Sequence, residues 1–376
     1  MSKRVLILSF SPIKADPRVM RQIRSLEGRF ELSVAGFGPA PEGHFSFHDI
    51  DAVVPASLPT KAARAAALLA GLYERYYWQS PFVRNILATV QSISFDLVIA
   101  NDVVSLPAAL QIAQGSPVML DAHEYSPKEF EDLWRWRVFF AGFYTYLCRK
   151  YLPRVASMTT VCQGIAEAYQ EFGVSPKVVL NCPVQQHLPV RPVDPGRIRL
   201  IHHGGAVRSR KIELMIKMMH HLDHRYTLDL MLVDTDPRYL SRLRDLAAAD
   251  SRIRFREPVP MEDIAATINE YDIGVFLLPP VNFNYQMALP NKFFEFIQAR
   301  LAVAIGPSPE MGQLATGHGF GIVAPSFEPQ ELAARISSLS AQDIERLKHR
   351  ADHASYELHT GRSTEILLSE VQRLVV

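Results

Sequence analysis

Residues 201–215, IHHGGAVRSRKIELM, bring two histidines, a glycine pair and three cations into one short stretch. Gly204 and Gly205 carry no side chain, so the backbone there can approach a ligand closely. A helix starting a few residues later would aim unpaired N–H groups at an anion. Arg208, Arg210 and Lys211 add positive charge at the same place, and an arginine fork fits phosphate oxygens. Phosphate binding is one reading of this stretch, and a solvated basic turn is the other. Residues 289–296, LPNKFFEF, form a second group. Pro290 suits the first position of a helix, which puts Asn291 and Lys292 in its first turn and Glu295 one turn later. A carboxylate so placed can accept hydrogen bonds from both hydroxyls of a ribose. The plain alternative is a surface ion pair with Lys292, three residues back. His123 directly follows a strand-like run, where a side chain reaches the edge of a sheet. Its plain alternative is a histidine that only shapes its loop, held by Glu124 or by the turn. His220, His221 and His224 share one helix and the first and last are four apart, but no third ligand joins that pair, so a solvated face is expected there and no metal.

The bulk numbers bound what these groups can serve. A chain of 376 residues suits two α/β domains. Net charge is only +1, unlike a nucleic-acid binder that relies on bulk positive charge, so no nucleic-acid partner is expected. Three widely spaced cysteines without a CxxC pair argue against a disulfide framework and for a reducing cytoplasm. The opening MSKRVLILSF reads as a buried strand rather than a signal peptide, and no apolar run is long enough to cross a bilayer.

Continuous apolar runs of strand length lie at 5–10, 32–37, 97–100, 118–121 and 158–161, with helical patterns between them. Such runs suit parallel strands covered on both faces. Val19, Ile23 and Leu26 mark one helix face, with Asp16 as cap and Pro17 at the first position. Residues 183–196, PVQQHLPVRPVDPG, read as a linker. The pattern then restarts, with runs at 198–202, 226–233, 253–255, 273–278, 302–305 and 321–323, a helix from about Lys211, and a last amphipathic helix over 363–375. The expectation is two Rossmann-like doubly wound parallel sheets. The first domain spans 1–185, with a helix at about 358–376 packing back on it, and the second spans 186–357. Their sheet edges are expected to face an interdomain cleft.

Several segments together resemble the retaining glycosyltransferases of the GT-B fold, specifically the family 4 group with many bacterial surface-polysaccharide enzymes. They are DPRVMRQIRSL (16–26), DAHEY (121–125), TTVCQGIAEAY (159–169), VVLNCP (178–183), HGGAVRSRK (203–211), YDIGVFLLP (271–279) and PNKFFEF (290–296). The resemblance implies that Arg210 and Lys211 hold a donor diphosphate, with Gly204, Gly205, Arg208, Asn291 and Lys292 around it. It also implies that Glu295 binds the nucleotide ribose and that His123 looks toward the donor sugar. The loop with Ser11 and Arg18, together with Glu124, falls on the acceptor side. Three positions depart from the family: Met287 stands where the first glutamate of an E-x7-E pair would be, Gly205 where an arginine is frequent, and Cys182 where a glycine is usual. Asn282, Asn284 and Gln286 are the nearby candidates for sugar hydroxyls.

The implied reaction moves a sugar from a nucleoside-diphosphate sugar to a glycan or lipid-linked acceptor with retention, by front-side attack. Fixed cations would neutralise the leaving diphosphate, so neither cofactor nor metal is required. Asp234 and Asp236 do not form a metal-binding pair ahead of a cleft and suit a turn. Residues 61–84 and 130–154 mix arginine and lysine with aromatics, which suits either the headgroup layer of a membrane's inner face or ordinary packing of two long helices. A sugar-nucleotide epimerase of the same architecture, or a non-catalytic nucleotide-binding scaffold, are the competing readings.

Overall fold

The computed structural model describes residues 2–50 and 57–375. Two compact units make up the chain. The first takes in residues up to 179, 282–284 and those from 363 onward; the second takes in 180–281 and 285–362.

The first unit is built on strands β1 (Arg4–Pro12), β2 (Glu31–Phe37), β3 (Ser46–Asp49), β4 (Leu97–Asn101), β5 (Val118–Ala122), β6 (Ser157–Thr160) and β7 (Lys177–Val178). Their order is β3-β2-β1-β4-β5-β6-β7, and neighbours run parallel. Strands β4 and β5 are buried along their whole length, which is why they are continuously apolar at their centres. The helix Pro17–Leu26 starts at Asp16, whose carboxylate accepts from the N–H groups of Arg18 and Val19. Its Val19, Ile23 and Leu26 enter a core completed by Leu367 and Val371 from the helix Thr360–Leu374. Glu370 of that last helix is buried and accepts from Ser157 Oγ at 2.7 Å, and it pairs with Lys177 and Arg373.

The second unit repeats the plan with β8 (Ile198–Gly205), β9 (Tyr226–Val233), β10 (Ile253–Arg256), β11 (Ile273–Phe276), β12 (Ala302–Ile305) and β13 (Gly321–Val323). The order is β10-β9-β8-β11-β12-β13, again all parallel. In each sheet the winding direction reverses once, between β1 and β4 and between β8 and β11. Ligands of open α/β sheets bind outside the carboxyl ends of the strands at such switch points.

Three local expectations are revised. The helix after β8 begins at Glu213, behind a 3-10 turn over Arg208–Arg210 and Lys211 at φ 51°. Residues 61–84 and 130–154 do not form two long helices. They belong to five short ones: Leu58–Leu69, Tyr73–Trp78, Pro81–Thr89, Trp134–Phe139 and Ala141–Tyr151. Gly71 at φ 70° and Pro81 break the first stretch, since neither continues a helix well. Asp236 is a helix cap, accepting from the Tyr239 N–H. Cys148, Cys162 and Cys182 are all buried and none is in a disulfide.

Candidate functional site

At the switch point of the second unit, β8 ends in His202, His203, Gly204 and Gly205. His202 Nδ1 lies 3.0 Å from the carbonyl oxygen of Val275. A carbonyl only accepts, so Nδ1 carries the ring proton and Nε2 keeps a lone pair. Lys292 Nζ donates to that lone pair across 3.3 Å and stands 4.3 Å from the centre of the Phe276 ring. Burial, with the charge of Lys292 beside it, pushes the His202 pKa far below the usual histidine value, so the ring is a neutral acceptor.

Gly204 lies at φ +119°, and a Cβ added there would meet Lys292 Nζ at 3.0 Å and Arg210 Nη1 at 3.7 Å. The missing side chain therefore leaves a notch of bare backbone flanked by an ammonium and a guanidinium. Lys292 is buried. Burial, and then Arg210, drive its pKa well below the usual lysine value, while Glu295 opposes them. A buried ammonium held in this state gains most from an incoming anion. Arg208 is committed elsewhere, its Nε 2.7 Å from Asp236 Oδ2 and its guanidinium over the Tyr239 ring. Lys211 is exposed and Asn291 half-buried at the start of the helix Asn291–Gln298.

Glu295, on that same helix, is buried with Oε2 3.5 Å from His203 Nε2. Burial and the charge of Lys292 hold the His203 pKa down to about 3, so this is not a charged pair. His203 Nε2 is a buried atom without a hydrogen-bond partner, while its ring packs edge-on against Phe296. An unmatched buried donor or acceptor beside a buried carboxylate marks a place where polar groups of a ligand fit.

The first unit holds a directed chain of hydrogen bonds at its own switch point. Arg18 is buried and grips Asp121 with two bonds, Nε to Oδ2 at 2.8 Å and Nη2 to Oδ1 at 2.5 Å. Its Nη1 donates to the Val179 carbonyl. Gln22 Nε2 donates to the same carboxylate, which leaves Gln22 Oε1 to accept from Asn101 Nδ2 at 3.0 Å. That nitrogen also faces the Leu8 carbonyl, so Asn101 Oδ1 must be the atom 3.2 Å from His123 Nε2. Nε2 therefore carries the proton of His123. The other ring nitrogen lies 3.4 Å from Asp102 Oδ2, and Asp102 Oδ1 accepts from the His123 N–H at 2.8 Å. Asp102 sits at φ 59°, a conformation that non-glycine residues seldom adopt and that gathers at functional sites.

The remaining sequence candidates have defined surroundings. Ser11 Oγ donates to Asp16 Oδ2 at 2.8 Å, fixing the loop after β1. Glu124 is exposed, and its Oε2 accepts from Asn284 Nδ2 at 3.3 Å. Asn284 Oδ1 takes the Tyr125 N–H and Asn282 Nδ2 donates to Asp132, so these two asparagines brace a loop of the first unit. Asn101, Asp102, Gln22, His202 and His203 were not singled out as site residues from the sequence. The histidine pair at the end of a strand and the Asn-Asp pair at the end of another were the only signals.

No protein-family model matches the sequence, and no curated protein does either. Solved structures do match over nearly the whole chain. The Anabaena protein HepE in complex with UDP and glucose superposes with a TM-score of 0.70 at 14% identity, covering 99% of this chain and 100% of its own. Sucrose-phosphate synthase from Thermosynechococcus elongatus gives 0.73 at 12% identity, with 99% and 98% covered. The UDP-forming trehalose-phosphate synthase of Burkholderia vietnamiensis gives 0.67 at 9% identity, with 99% and 100% covered. The chain has the GT-B fold. The candidate residues fall in two groups, one in each unit. Gly204, Arg210, Lys292, His203 and Glu295 lie on one unit; His123 and Asp102 lie on the other.

Proposed function

We propose that this chain is a retaining glycosyltransferase of the family 4 type. It moves a sugar from a nucleoside-diphosphate sugar to a glycan or lipid-linked acceptor in surface-polysaccharide synthesis. The carrying observation is the notch at Gly204, with Lys292 and Arg210 on either side and Glu295 nearby. A diphosphate seated there has its developing charge met by two fixed cations as the glycosidic bond breaks. Lys211 extends the positive field at the rim, with Arg208 beside it paired to Asp236, and Asn291 stands at the helix start. Glu295 accepts the ribose hydroxyls. His123, held in one tautomer by Asn101, together with Asp102, Glu124 and the Ser11 loop, serves the acceptor. Arg18 acts behind them by fixing Asp121. Arg210 and Lys292 would supply the positive charge for the leaving diphosphate. The HepE, sucrose-phosphate synthase and trehalose-phosphate synthase likenesses support the reading.

The test is to incubate the protein with a panel of nucleotide sugars and acceptors, follow free nucleoside diphosphate, and determine the anomeric configuration of the product. Diphosphate release with a retained linkage supports the proposal. Interconversion of sugars without release points to an epimerase, and tight binding without turnover to a scaffold.

A further inference from the structure

The turn Arg208–Arg210 leads through Lys211, at φ 51°, into the helix Glu213–Met219. A non-glycine residue in that left-handed conformation costs free energy and persists where its surroundings over-determine it. Here the surroundings come from the first turn of the next helix, Pro237–Ala247. Tyr239 of that helix is buried. Its hydroxyl accepts the buried Ile212 N–H at 2.9 Å and donates to the Glu213 carboxylate. The start of a helix leaves N–H groups without internal partners, and Tyr239 serves one of them for its neighbour.

The same helix start grips the other end of the turn. Asp236 accepts the Tyr239 N–H at 3.0 Å and takes Arg208 Nε at 2.7 Å. The Arg208 guanidinium lies 5.4 Å from the centre of the Tyr239 ring. Ser209 Oγ stands 2.8 Å from the Tyr285 hydroxyl. Arg210 is placed differently. Its Nη1 lies 3.4 Å from the Gly205 carbonyl oxygen and 3.7 Å from the Cβ position of Gly204, on the notch that Lys292 also borders. Residues on both sides of Arg210 are therefore tied to the body of the second unit, while its own guanidinium reaches the notch. A guanidinium fork meets phosphate oxygens in a fixed geometry, so its value to a ligand depends on how firmly its backbone is held.

We infer, resting on the transferase reading above, that Tyr239 is a positioning residue for the donor diphosphate. Its hydroxyl fixes the backbone at Ile212 and Glu213, and through it the aim of Arg210. Part of the donor affinity then resides in one buried hydroxyl. That part is confined to the phosphates, because Glu295, which receives the ribose, comes from the separate helix Asn291–Gln298.

The experiment measures binding of UDP, GDP, ADP and dTDP to the full chain by calorimetry, then of the nucleoside of the tightest one by competition. The ratio of the two affinities isolates what the diphosphate contributes. Tyr239→Phe keeps the ring that carries Arg208 and removes only the hydroxyl. It should lower the ratio about fivefold, the size of one net hydrogen bond, with nucleoside affinity unchanged. A general loss of stability would weaken both ligands alike and leave the ratio where it was. Tyr226→Phe removes a buried hydroxyl that has no hydrogen-bond partner from the same unit, and it should not move the ratio. In an Arg210→Met background, adding Tyr239→Phe should change the ratio little, because both substitutions act through one guanidinium. An unchanged ratio in Tyr239→Phe overturns the inference, as does full additivity of the two substitutions. A wild type that gains nothing from the diphosphate overturns the transferase reading along with it. A gain that Tyr239→Phe leaves intact overturns only the role of Tyr239.

Discussion

Lys292 donates to a histidine held neutral by burial: His202 Nε2, 3.3 Å away, belongs to a ring whose Nδ1 donates to the Val275 carbonyl. His202 thus orients Lys292 without supplying a negative charge to balance it. The Lys292 pKa is lowered by burial and by Arg210, and the negative charge of a bound diphosphate opposes that lowering. Binding of UDP should take up protons, and affinity should weaken as pH rises. At about pH 8, calorimetric enthalpies should differ between buffers of different ionisation heat, with positive proton uptake. Equal enthalpies in all buffers would refute the coupling.

Lys292→Met keeps the volume of the side chain and removes a desolvated charge. UDP affinity should drop about 10- to 100-fold, the range for a charge-assisted hydrogen bond. The thermal midpoint should stay level or rise, because an apolar side chain costs less to bury than an ammonium. A folded variant with undiminished affinity would move the anion site elsewhere.

If Glu295 receives the ribose hydroxyls, the wild type should prefer UDP over its 2′-deoxy analogue by about tenfold or more. Glu295→Ala should bind both weakly and about equally. A preference surviving in the variant would release Glu295 from this role.

The Arg18–Asp121 pair is buried and doubly bonded. Burial alone would raise the Asp121 pKa, but the Arg18 guanidinium outweighs it and, with His123 and Thr159, holds it at about 2. A carboxylate lowered in the fold adds stability that is complete above its unfolded value near 4 and fades as pH falls from there toward 2. Arg18→Met leaves the carboxylate buried without its partner and should destabilise the protein by about 3–5 kcal/mol. Urea unfolding measures this, and the acid sensitivity between pH 4 and 2 should shrink in the variant.

Asp102 faces the Nδ1 side of His123 and takes its backbone N–H. Asp102→Asn should lower kcat at least tenfold with donor KM little changed, since the donor groups lie on the second unit. Nitrogen-15 NMR should find the wild-type proton on Nε2. A proton on Nδ1 would mean that the Gln22–Asn101 chain does not set the ring.

How far this was legible in the sequence depended on burial. The central strands announced themselves because both faces are covered, so 97–100 and 302–305 have no polar interruption. Strands β3 and β7 did not, because an edge strand such as Ser46–Asp49 is half in water and needs no apolar pattern. The glycine pair and Arg210 marked the notch, but which lysine stands beside it was hidden. Lys211 is adjacent in sequence and exposed, whereas Lys292 arrives from a helix some eighty residues on, and only the pairing of β8 with β11 puts its neighbours together. The amide chain to His123 was equally invisible, since Gln22, Asn101 and Asp121 come from three separate elements.

The helix Thr360–Leu374 closes the hydrophobic interior of the first unit, yet the ribosome makes it only after the whole second unit has emerged. During synthesis the early sheet must wait with Ile23 and Leu26 uncovered, while the later one already has every strand it needs. The downstream half is therefore the one that can mature unaided. A nascent chain stalled before Leu367 would carry a sticky, unfinished flank for chaperones to guard.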